Sequence, residues 1–200
     1  MRLRPPAGVS LHLRRSFFSA PSFSPFNNDV QRYSERKIFP YHEKQLFEIV
    51  ANVSQYPRFI PFCTECRILS SPNEGRHGVD PYTMEVELTA GFMSFTESYV
   101  SKVTCIPFKS VEAVATSSTP LFKNLSTIWR FQPVSPNTQH PLPPSNVRGS
   151  NPTLVTFDLV YAFSNPIHAA VSSAFFGQIS KQTIAAFEKR CIEVYGRGSR

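Results

Sequence analysis

Alternation of apolar and polar positions dominates the middle of the chain. Met84, Val86 and Leu88 alternate with Thr83, Glu85 and Glu87. Met93, Phe95, Glu97, Tyr99 and Val103 fall on one strand face, with Ser94, Thr96, Ser98 and Lys102 on the other. Val111, Ala113 and Ala115 make another apolar face, and Thr127, Trp129 and Phe131 follow. Val155, Phe157, Leu159, Tyr161 and Phe163 are the most regular set. Strict period-two alternation predicts antiparallel strands with one buried face. Residues 34–39 add a short strand that Pro40 ends. Leu46, Ile49, Val50 and Val53 recur at helical spacing and predict an amphipathic helix over 42–53. Tyr56 to Pro61 reads as a single turn bounded by prolines.

A long helix closes the chain. Asn165 suits the N-cap and Pro166 the first helical position, where its missing N–H costs nothing. Ile167, Val171, Phe175, Ile179 and Ala186 mark one broad face, and Gly196 serves as C-terminal cap. Gly177 inside this helix costs about 1 kcal/mol relative to alanine. The order strand, helix, turn, strand run, long helix predicts an α+β fold. A curved antiparallel sheet wrapped around the terminal helix satisfies every apolar face.

Two stretches fall outside this periodicity. Residues 133–152 hold six prolines and few large apolar side chains, and predict an exposed hairpin insertion without a core of its own. Residues 1–33 begin with Arg2, Arg4, Arg14 and Arg15 among five serines, and the first acidic residue is Asp29. An arginine- and serine-rich, acid-free start predicts a mitochondrial transit peptide followed by a linker, with Arg15 to Ser19 resembling a cleavage region. The folded domain is expected over 34–196, and 197–200 as a tail. Those four arginines carry much of the net charge of +7, leaving +3 for the body. No basic run with interleaved aromatics appears there, so no nucleic-acid groove is expected. No apolar stretch reaches the roughly 18 residues of a spanning helix, so membrane contact is expected to be peripheral.

Candidate chemistry is sparse. Cys63 and Cys66 form a C-x-x-C pair, but no second pair or paired histidines complete a zinc site, and no βαβ context supports a redox motif. They read, with Cys105 and Cys191, as structural thiols. No Walker loop, G-x-S-x-G elbow, H-E-x-x-H or G-x-G-x-x-G occurs. No catalytic residue, metal or cofactor is expected. Glu97, on the face of Phe95 and Tyr99, is the most interesting ionisable group. It reads as a structural partner of Arg130 or Lys102 or a residue where the face reaches solvent, as a contact for a ligand hydroxyl, or as a catalytic acid.

Several stretches carry a resemblance. Tyr56 to Cys63 (YPRFIPFC) resembles the Y-x-x-F-hydrophobic-P-x-C segment of the coenzyme Q-binding family. Gly91-Phe92 with Glu97 and Tyr99 resembles its central strand, Leu121 to Phe131 (LFKNLSTIWRF) is the strongest match, and Phe175 to Gln178 and Ala185 to Arg190 match its terminal helix. His42 departs from the family's small capping residue, which predicts a less well capped first helix. The resemblance implies a helix-grip, START-like fold with an apolar cavity between sheet and helix. It implies a protein that binds ubiquinone without altering it, as chaperone or carrier for the respiratory chain. It also implies peripheral contact with the matrix side of the mitochondrial inner membrane, and respiratory or quinone-synthesis complexes as partners. An aromatase/cyclase-like enzyme and a ribosome or protein interaction module are the alternatives on this fold. In the binding reading Met93, Phe95, Tyr99, Trp129, Phe157, Tyr161, Phe175 and Ile179 wall the cavity. Phe176 sits at its mouth, opposite a lip holding Phe59 and Phe62.

Overall fold

The alternating segments become one seven-stranded antiparallel sheet in a computed structural model. The structure describes residues 30–70, 80–92, 95–120, 122–134, 152–164 and 166–197, and only the backbone of 92, 95 and 166–177. The strands are β1 (Gln31–Phe39), β2 (Cys63–Ser70), β3 (Tyr82–Phe92), β4 (Phe95–Ile106), β5 (Ser110–Ala115), β6 (Phe122–Pro133) and β7 (Thr153–Phe163). They are ordered β1-β7-β6-β5-β4-β3-β2, so β1 and β2 are the edges. Helix α1 (Glu43–Ala51) and a 3₁₀ helix (Val53–Arg58) connect the two edge strands, and α2 (Pro166–Tyr195) ends the fold.

The register places the alternating apolar sets side by side. Val155, Phe157, Leu159 and Tyr161 of β7 lie opposite Phe131, Trp129, Thr127 and Leu125 of β6. Trp129 and Thr127 lie opposite Val111 and Ala113 of β5, which in turn face Cys105 and Val103 of β4. These residues form the concave face, and α1 and α2 cover it. Phe47 of α1 meets Phe131 and Phe108 edge-on, at 6.4 and 5.7 Å between ring centroids. Phe187 of α2 rests on Trp129 at 4.6 Å. Burying such large rings dominates the stabilisation of a domain this size.

Several expectations need correction. β1 starts at Gln31 rather than at residue 34. β2 went unread because its burial does not alternate: it is an edge strand with two register shifts. β4 is described from Phe95, and the expectation for Met93 lies outside the described residues. His42 caps α1 well: its Nδ1 accepts from the Lys44 backbone N–H at 3.2 Å, and its own N–H donates to the Gln45 side chain at 3.0 Å. This reciprocal box satisfies two otherwise orphaned amides. The buried stripe of α2 runs through Ser180, Ile184, Phe187 and Cys191, while Ile179 and Ala186 flank it half-buried. Gly196 does end the helix, with φ 77° and its N–H donating to Ile192 O at 2.9 Å. The Val134 N–H donates to Pro152 O at 3.0 Å and closes the hairpin at the base of the proline-rich insertion, whose residues 135–151 lie outside the described residues.

Candidate functional site

Burial along the concave face is graded, and the gradient defines the site. At the end next to α1, Met84 and Val86 of β3, Val103 and Cys105 of β4, Val111 of β5 and Trp129 and Phe131 of β6 are all buried. Two to four residues toward the other end, the same strands carry Leu88, Ala90, Tyr99, Ala113, Ala115, Thr127 and Leu125, each half-buried, while Ser101 of β4, between Tyr99 and Val103, is still buried. Three of these are alanines. A curved sheet that turns small side chains inward leaves space, because interiors otherwise pack to crystal density. The face is therefore sealed at one end and half-buried at the other, and this alanine-lined, half-buried stretch is the candidate recess.

The sealed end is held by an aromatic cluster. Trp129 stacks obliquely on Phe157 at 4.5 Å, and Phe187 meets Trp129, Phe59 and Tyr56 at 4.6, 5.1 and 5.6 Å. The Arg190 guanidinium lies 5.7 Å from the centre of the Phe59 ring. The Tyr56 hydroxyl donates to Val50 O. Tyr41 reaches across to Gly196 O at 2.7 Å, and Lys37 pairs with Glu188 at 2.7 Å, so the second half of α2 is tied down from three sides.

A second aromatic cluster borders the recess. Tyr99 meets Phe122 at 6.4 Å, Phe122 stacks on Phe163 at 5.5 Å, and Phe163 meets Tyr161 edge-on at 5.5 Å. Burial, reinforced by the nearby thiols Cys63 and Cys66, pushes the Tyr99 phenol well above its ordinary range, and burial raises Tyr161 too. Both phenols remain protonated hydrogen-bond donors at neutral pH. Tyr99 is half-buried, with part of its surface open to solvent.

The predicted site residues divide between these regions. Trp129, Phe157 and Phe59 belong to the sealed end, and Phe59 is a packing contact of α2 there. Tyr99 and Tyr161 belong to the recess, and Tyr161 is only 4 % exposed. Phe62 is half-buried at the start of β2, with φ 66° and its carbonyl accepting from Gly91 N–H at 2.9 Å. Ile179 sits beside the buried stripe. The side chains of Phe95, Phe175 and Phe176 lie outside the described residues, as does Met93. Glu97 shares the concave face with Tyr99, but its expected partners do not: Arg130 pairs with Asp158, and Lys102 lies with it on the convex face. Phe122, Phe163, Phe187, Leu125 and Tyr56 were not among the expected site residues, although Phe163 stood on the expected inner face of β7 and the others lie in the stretches that resemble the family. Phe187 had a signal, standing three residues after Ile184 in helical phase. Alternation gave no sign of Phe122, because a register shift between Phe122 and Asn124 breaks it. Among the described residues no cluster of three metal-ligating side chains occurs.

Residues 39–188 match the family of polyketide cyclases/dehydrases and lipid transport proteins. The chain is 34% identical over 161 residues to the mitochondrial coenzyme Q-binding protein COQ10 of Dictyostelium discoideum, covering 80% of this chain and 68% of that one. The chain belongs to the coenzyme Q-binding protein family. It is 33% identical over 166 residues to the COQ10 homolog B of Xenopus laevis, spanning 82% of this chain but only 59% of that relative's length. In fold it resembles the Zhui aromatase/cyclase of a Streptomyces species, with a TM-score of 0.64 over 86% of this chain and 100% of that one, at 13% identity. That likeness concerns the fold: a helix-grip sheet around a terminal helix, as expected.

Proposed function

We propose that this chain binds ubiquinone in the recess and holds it unaltered, as a chaperone or carrier serving the respiratory chain. The recess between the Tyr99–Phe122–Phe163 cluster and the inward-facing Ala113, Ala115 and Thr127 carries this reading. It offers apolar walls for an isoprenoid and the protonated, half-buried Tyr99 phenol to donate to a quinone carbonyl. Each isoprenoid CH₂ removed from water contributes about 0.8 kcal/mol, so a small apolar recess suffices to hold a lipid that water rejects. The two relatives above carry the coenzyme Q-binding name, which supports the same ligand.

The transit-peptide composition of residues 1–33 and the mitochondrial names of the relatives support a mitochondrial location. No helix of the described residues is long and apolar enough to cross a membrane. Peripheral contact with the inner membrane on its matrix side fits both, with respiratory or quinone-synthesis complexes as recipients of the lipid.

The chain's single tryptophan makes the test simple. Trp129 lies against the recess at its sealed end, so a bound quinone should quench its fluorescence. Titration with a short-chain ubiquinone should give saturable quenching at one quinone per protein, with the quinone recovered chemically intact. Non-saturable quenching equal to that of free tryptophan would reject the binding site. Conversion of a polyketide or quinone precursor by the pure protein would favour the cyclase-like alternative.

A further inference from the structure

Cys63 and Cys66 are three residues apart, and in a regular strand they would point to opposite faces. The register of β2 changes this. Cys63 lies opposite Ala90 and Cys66 opposite Leu88, with a shift between Cys63 and Glu65 that absorbs one residue. Ala90 and Leu88 both face inward, opposite Glu97 and Tyr99 of β4. The bulge thus brings both thiols to the concave face as neighbours in the recess wall. Both are half-buried and unbridged. The phenols of Tyr56 and Tyr99 lie within electrostatic reach of both.

The spacing of the pair follows from its partners. Ala90 and Leu88 are two residues apart on β3, so the cysteine Cα atoms opposite them are separated by about 6.7 Å. Disulfides span Cα separations of about 4.4–6.8 Å and prefer about 5.5–6 Å. A bridge is within reach after a contraction of about 1 Å, and a bridge formed under such strain is readily reduced. Contraction acts on tightly fitted parts. The Phe62 carbonyl is held by Gly91 N–H at 2.9 Å, and Thr64 Oγ1 donates to Thr89 O at 3.2 Å. Thr64 Cγ2 lies 3.2 Å from where a Cβ on Gly91 would stand. Phe62, with φ 66°, has little freedom to absorb the movement without shifting its ring.

We propose that Cys63 and Cys66 form an oxidisable dithiol in the recess wall, and that their intramolecular disulfide lowers the uptake of apolar ligand. The effect on ubiquinone rests on the ligand reading given above. The oxidant is a hydroperoxide. One thiol first ionises, a step that burial makes slow at neutral pH by raising both thiols. Its sulfur then attacks the peroxide oxygen, and the O–O bond breaks to give a sulfenic acid and, with the released proton, one water. The second sulfur then attacks the sulfenic sulfur. The S–S bond forms, the S–O bond breaks, and the second thiol proton leaves with the hydroxyl as another water. Two thiols lose two electrons and two protons in total, and the peroxide takes both.

Hydrogen peroxide treatment of the full chain, followed by peptide mapping without reductant, tests the bridge. The peptide spanning residues 63–66 should lose two hydrogens and regain them with dithiothreitol, whereas Cys105 and Cys191, buried at 0% and 1% exposure, stay reduced. Uptake is read on the same samples with a short-chain ubiquinone and with an apolar naphthalene-sulfonate dye. Both should fall about fivefold or more on oxidation, the size of an ordinary coupling between sites, and recover on reduction. Cys66→Ser should form no intramolecular bridge, and whatever its starting uptake, peroxide should not change it. Peroxide that yields sulfinic acid without a bridge, or a bridge that leaves both uptakes unchanged, overturns the proposal. Reduced protein that takes up dye but no quinone overturns the ubiquinone reading alone, and the dye then decides the dithiol.

Discussion

Ala113→Leu separates a hollow face from a packed one. Ala113 lies at the centre of the concave face, half-buried, between Val103 of β4 and Thr127 of β6. Leucine adds three carbons there. In a close-packed core such an insertion costs about 1–3 kcal/mol. In a recess the added carbons leave water instead, at about 0.8 kcal/mol each, so stability should stay level or rise by as much as about 2 kcal/mol. For a domain of this size 1 kcal/mol moves the midpoint by about 2–4 °C, so the two cases differ in sign and by several degrees. The same carbons occupy the ligand's space. Losing contacts worth about 1.4 kcal/mol weakens quinone binding about tenfold. Thermal unfolding by circular dichroism and Trp129 quenching are measured on one preparation. A variant destabilised by 1 kcal/mol or more that still binds quinone like the parent would refute the recess.

Other substitutions probe the remaining parts. Phe187→Ala should cost about 3–5 kcal/mol in urea unfolding, because it removes the ring joining Trp129, Phe59 and Tyr56 at the sealed end; a loss under about 1 kcal/mol would mean that end is not the core. Shortening the insertion between Val134 and Pro152, with the closing hydrogen bond kept, should leave the unfolding midpoint and quinone uptake unchanged; a cooperative loss of structure would contradict this. Burial raises the Cys63 thiol to about 11, with Cys66 adding to the shift. The fold thus favours the protonated thiol, a contribution fully present below the free cysteine value of about 8.5 and lost as pH rises through the folded value. Alkylation of Cys63, followed by mass spectrometry, should therefore accelerate up to about pH 11 and not level off near 8.5 as a free cysteine does.

The fold was readable where one face is buried and the other wet. β7 shows this best, with Val155, Phe157, Leu159 and Tyr161 all buried on the inner face. Reading failed where backbone irregularity shifts the parity. The bulge near Thr64 brings Cys63 and Cys66 to one face, and the shift before Asn124 turns Phe122 inward. Neither leaves a mark on the alternation of residue types. On α2 the phase was missed by one position, because the inner stripe includes Ser180 and Cys191, which hydrophobicity alone does not select. The recess was legible only in part. Tyr99 and Tyr161 announced themselves as aromatics on strand faces, but the space beside them comes from Ala113 and Ala115, and a small residue signals a cavity only once its neighbours are known.

Mass spectrometry of the lipid that co-purifies with the mature protein, from cells that make ubiquinone, tests ligand and chemistry together. Intact ubiquinone should be recovered at up to one molecule per protein, and Ala113→Leu should empty the site without unfolding it. Folded protein that carries no quinone, or carries a chemically altered one, would contradict a quinone-holding recess.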